Sequence, residues 1–181
     1  MAVNGSNLTT VEKFAKVMDE MFDNIGIIIS DLNAAGKTHL HAVLVQAFRE
    51  YILSHDKRFL IDSFIENSQE YWIDIKNKNE VCLLQNAPKI LGSFSDRPEF
   101  DSVKIIFSDQ IDEEAKSYVW ACLFSLVKLS IHHVYKERGT SVSRSINNEG
   151  KSVLTISYKN KNLYPQVNLR KQNEVWDLKL F

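Results

Sequence analysis

Gly36-Lys37-Thr38 has the ending of a phosphate-binding loop, whose backbone amides wrap a nucleotide's phosphates while the lysine neutralises them. The apolar run Ile25-Gly26-Ile27-Ile28-Ile29 stands before it, where such a loop would have its strand. The spacing fails. The loop needs a second glycine at position 31, and this chain has Asp31 there, a carboxylate set against the phosphates. "VKIIFSD" (103–109) imitates the magnesium-holding partner motif, but it reads as a helix.

Asp74-Ile75-Lys76, with Asp62 or Glu66 upstream, has the residue types of a metal-dependent nuclease. There, carboxylates on adjoining strands hold magnesium and a lysine orients the water. Glu114-x-Lys116 and Asp177-x-Lys179 repeat the same spacing, so the triplet arises freely by chance. His39 and His41 are two apart on a helix start, which turns them to opposite sides, and His132 and His133 are adjacent. No cysteine stands at ligand spacing to any of them, so surface or capping roles are expected and no metal site is.

The cluster that could bind rather than react is C-terminal. Lys159, Lys161, Arg170 and Lys171 gather around turns, with Tyr158, Tyr164 and Trp176 interleaved. Cations neutralise phosphates and aromatic rings stack on bases, so this composition suits nucleic acid. The competing expectation is a solvated sheet whose aromatics pack inward.

The elements that must position these groups follow from periodicity. Thr9-x-x-Glu12 is a capping box. Behind it Val11, Phe14, Val17, Met18, Met21, Phe22, Ile25, Ile28, Ile29 and Leu32 fall on one helical stripe, which Asn33-Ala34-Ala35-Gly36 ends. A second helix is predicted over 38–54, with Leu40, Val43, Leu44, Ala47, Phe48, Tyr51 and Ile52 inward. A third starts at His55-Asp56, with Phe59, Leu60, Phe64 and Ile65 inward. Residues 69–93 read as short helices broken near Asn77 and Pro88, and 95–98 as a loop. The longest helix is predicted over 112–138: Asp112 caps it, Glu113 and Glu114 meet its positive end, Lys136 and Arg138 its negative end, and Gly139 closes it. Its middle is apolar nearly all round, as in a helix buried by its neighbours. "SVLTISYKN", "LYPQVNLRK" and "EVWDLKLF" then read as three strands of a meander, with Leu154/Ile156/Tyr158 and Trp176/Leu178/Leu180 alternating.

The chain has 181 residues, room for one domain with an appendage and a substantial core. Its formal net charge is −1, so no global field draws it to nucleic acid or membrane. From Gly139 onward, seven Lys/Arg face three Asp/Glu, a net of +4 that leaves about −5 upstream. Cys82 and Cys122 are too few for a disulfide scaffold and sit in apolar surroundings, which suits a reducing compartment. No signal peptide is apparent in the first residues, and the apolar run from Tyr118 to Val127 is half the roughly 20 residues that span a bilayer. A soluble protein with no membrane partner is expected.

"FDSVKIIFSDQIDEEAKSYVWACLFSLVKLSIHHVY" is similar to a segment of small uncharacterised helical proteins of nucleocytoplasmic large DNA viruses, through Asp112, Trp120 and Leu123 to Leu126. "VEKFAKVMDEMFDNI" and "SHDKRFLIDSF" lie upstream in the order that family has, so the resemblance covers about residues 11–135. It implies a virus-encoded protein of the host cytoplasm or nucleus, or of the virion, and not an enzyme.

Together these features predict an α+β protein: a flexible leader (1–8), a helical domain (9–139) around the 112–138 helix, a polar linker (140–152) and a three-stranded antiparallel meander (153–181). The function expected is non-enzymatic binding or structure, through a protein partner or self-association and through DNA or RNA held by the basic meander. No catalytic residue, metal, cofactor or small-molecule substrate is assigned. The alternative is a magnesium-dependent nuclease or nucleotide-binding enzyme using Asp74-x-Lys76 or Gly36-Lys37-Thr38.

Overall fold

The computed structural model describes residues 8–36, 42–90 and 111–167. Six α-helices and a two-stranded antiparallel sheet make up this part of the chain, an α+β fold that is mostly helical. It divides into two compact units, the first ending at Ser130 and the second beginning at Ile131.

In the first unit, α1 (Thr10–Ala34) begins at the capping box as expected. Thr9 Oγ1 accepts from the Glu12 amide at 3.2 Å, and Glu12 Oε2 accepts from the Thr9 amide at 2.8 Å. The predicted stripe is the buried one: Phe14, Met18, Met21, Phe22, Ile25, Ile29 and Leu32 all face the core. The isoleucine run is therefore helix, not strand. Gly36 adopts φ +67° and its amide donates to the Asn33 carbonyl, which stops the helix where the sequence put the stop. Lys37, Thr38, His39 and His41 lie outside the described residues.

Helix α2 (Ala42–Leu53) packs on α1 with Ile52 buried as predicted, but other residues of the predicted inward face are exposed. Val43 is 76 % exposed and Tyr51 39 %, while Val45 and Ile52 are buried. Arg49 lies between those two in sequence and bonds Asp19 Oδ1 at 2.5 Å and Asp23 Oδ1 at 2.6 Å on α1. This half-buried arginine ties α2 to α1 through two ion pairs, a contact that apolar counting does not mark. Gly26 on α1 leaves room beside Val45, whose Cγ1 would lie 3.9 Å from an added Cβ.

Asp56 caps α3 (Lys57–Ser68), accepting from the amides of Arg58 and Phe59. Leu60, Ile61, Phe64 and Ile65 are buried, but Phe59 points outward and stacks on His55 with ring centroids 5.4 Å apart. Phe64 meets Phe14 of α1, centroids 5.4 Å apart. A short 3-10 turn (Gln69–Tyr71) leads into α4 (Trp72–Lys76). Trp72 is fully buried, and its polar atom is satisfied by a relay: Nε1 donates to Ser68 Oγ at 2.8 Å, which donates to the Phe64 carbonyl at 2.6 Å. That satisfaction lets a polar-tipped ring sit in the core at little cost. The chain breaks at Asn77-Lys78-Asn79 as predicted, but α5 (Glu80–Ile90) continues through Pro88. Proline there forfeits one amide near the helix end.

Helix α6 (Glu113–Glu137) matches the predicted long helix. Asp112 Oδ1 accepts from the Ala115 amide at 2.7 Å, the expected cap. Val119, Trp120, Leu123, Leu126 and Val127 are buried, whereas Tyr118, Ala121 and Lys128 are exposed. At its other end Gly139 takes φ +60° and its amide reaches the Lys136 carbonyl.

In the second unit, the last two turns of α6 precede strands β1 (Thr140–Ile146) and β2 (Ser152–Tyr158), which pair antiparallel from Thr140↔Tyr158 to Ile146↔Ser152. This corrects the predicted linker: residues 140–146 are a strand, and only 147–151 turn. The predicted strand over 163–171 is also corrected as far as it is described, since residues 161–166 are turns. The third predicted strand, 174–181, lies outside the described residues.

Candidate nucleic-acid interface

Of the sequence-predicted binding residues, Tyr158, Lys159, Lys161 and Tyr164 lie at the base of the β1–β2 hairpin, whose local construction positions them. Asn147 organises the turn: its Oδ1 accepts from the amides of Glu149 (3.0 Å) and Lys151 (2.9 Å), and its own amide donates to the Lys151 carbonyl. An asparagine that bonds its own downstream backbone is a strong turn former. Gly150 completes the turn, its amide donating to the Asn147 carbonyl.

The base of the hairpin is held by Arg138. This guanidinium is buried; its Nε donates to the Leu163 carbonyl at 2.8 Å and its NH2 nitrogen to the Val167 carbonyl at 2.7 Å. It also lies 5.4 Å over the Tyr158 ring centroid. Burial pulls its pKa below the ordinary arginine value, and the contact with Tyr158 works against that shift. Asn160 adds two bonds back to the helix end, Nδ2 to the Glu137 carbonyl and its amide to the Arg138 carbonyl. His133 Nε2 and the Tyr164 hydroxyl are 3.0 Å apart. Arg138, expected only to complement the helix dipole, is thus the clamp for the segment after the hairpin.

Tyr158 and Tyr164 are part-buried and engaged in this way, Tyr158 under Arg138 and Tyr164 at His133. One face of the Tyr158 ring is covered by the Arg138 guanidinium, and the Tyr164 ring meets His133 edge to face. Lys159 and Lys161 are exposed. Arg170, Lys171 and Trp176 lie outside the described residues.

Two cations that the sequence reading left in a linker also lie on the hairpin. Arg144 projects from β1 and Lys151 ends the turn, both exposed. Lys151 pairs with Glu149 at 3.2 Å, whereas Arg144, Lys159 and Lys161 have no ion-pair partner among the described residues. Glu149 is the only acid from 139 to 167, against four cations. The signal for β1 was the alternation in "TSVSRSI", obscured because serines occupy the places where apolar residues usually mark a strand.

The other candidate constellations take different positions. Asp74 and Lys76 lie on α4, and Asp62 and Glu66 on α3, so this triplet stands on helices rather than on adjoining strands. Asp74 Oδ1 accepts from Asn79 Nδ2 at 2.7 Å, and Asp62 pairs with Arg58 at 3.5 Å. His132 is exposed but His133 is buried, which corrects the expected surface role for the second. Among the described residues no group of three His, Cys, Asp or Glu could hold a metal ion. Both cysteines are free thiols. Burial pushes the Cys122 thiol up, and burial followed by Asp74 does the same to Cys82. Among the described residues no helix is long and apolar enough to cross a membrane.

In comparisons with known proteins, no family model matches this chain, and no curated protein or solved structure matches it.

Proposed function

We propose that this is a non-enzymatic binding protein whose C-terminal hairpin holds nucleic acid through its phosphates. The observation that carries the reading is the exposed set Arg144, Lys159 and Lys161, without ion-pair partners among the described residues, on and beside a hairpin whose base is clamped by Arg138, in a chain whose remaining charge is negative. Cations that are solvated and uncommitted gain most from displacing counterions along a polyanion. The acidic remainder keeps the contact local, since its field repels phosphates elsewhere. The resemblance of residues 11–135 to helical proteins of large DNA viruses supports only the non-enzymatic part of this reading, and from it we place the site of action in an infected cell or virion. Tyr158 and Tyr164 enter this proposal as supports of the hairpin base instead of stacking partners.

The test is fluorescence anisotropy of labelled DNA and RNA across a salt series, with the parent chain and with Arg144→Glu/Lys159→Glu/Lys161→Glu. The parent should bind at low salt with log K falling roughly 0.9 per log unit of salt for each phosphate neutralised, so about −3 on duplex DNA. The triple reversal should remove binding. No binding by the parent, or binding indifferent to the reversal, would sink the proposal.

A further inference from the structure

We draw no further inference here: the strongest candidate, the outer edge of strand β2 (Ser152–Tyr158), is uncharged along all seven residues and pairs only with β1 among the described residues, but nothing in the structure shows what covers it.

Discussion

Arg138 is the residue on which the second unit depends most. It is a buried cation whose listeners are two backbone carbonyls and an aromatic face, so its removal leaves acceptors at Leu163 and Val167 unpaired. Hydrogen bonds to a charged donor contribute about 1.5–3 kcal/mol each, and burying a carbonyl without a partner costs about the same. Arg138→Met should therefore destabilise the second unit by roughly 2–4 kcal/mol, visible as faster hydrogen exchange at the amides of β1, β2 and Val167. Arg138→Lys should recover little, since one ammonium cannot fork to both carbonyls in the guanidinium geometry. Unchanged exchange in both variants would remove the clamp from the account. Nothing in the local sequence marks this role: Arg138 reads as a dipole-complementing residue at a helix end, and its acceptors lie 25 and 29 residues further on. Arg49 is a parallel case, tying α2 to α1 through two acids.

At the scale of elements, the junction between α6 and β1 turns on a single glycine. Gly139 is left-handed at φ +60°, and a Cβ there would come within 3.2 Å of Lys159 Cβ. Gly139→Ala combines the left-handed penalty of about 1–2 kcal/mol with that crowding. It should lower the thermal midpoint and disturb the β1–β2 register at Thr140↔Tyr158, read from cross-strand amide contacts by nuclear magnetic resonance; an unaltered midpoint and register would contradict it. Elements governed by local rules were legible in the chain. Helices α1 and α6 have capping residues, a period of 3.6 and a glycine after the end, and all of these are short-range signals. Strand β1 was not legible, because its alternating positions are serines and its pairing partner is set by a turn nucleated at Asn147. The inward assignments of Val43 and Tyr51 failed because apolar type alone does not fix a helix's rotation, whereas on α3 only Phe59 departs, lying outward against His55. What the Tyr158 and Tyr164 side chains touch, Arg138 and His133, lies 20 or more residues away in sequence and could not be read locally.

At the scale of the whole molecule, the charge division and the titrating core set the behaviour in solution. Burial raises the pKa of Cys122, Cys82 and Tyr71 above their ordinary values. Above about pH 8.5, thiols of the unfolded chain lose protons while the folded ones keep theirs, so the unfolded state is favoured. These groups contribute stability that is present below the unfolded pKa and lost as pH rises through the folded one. The urea midpoint should hold near neutrality and fall progressively above that point, with a shallower fall in Cys82→Ala/Cys122→Ala; a midpoint independent of pH across this range would refute the buried-thiol assignment.

Binding by the basic hairpin is the central claim, and the salt dependence of affinity for nucleic acid measures it most directly. On duplex DNA the account predicts a slope of about −3 in log K against log salt, flattened by each charge lost from Arg144, Lys159 or Lys161. A parent chain that shows no affinity at low salt, or a slope that these changes leave untouched, would contradict it.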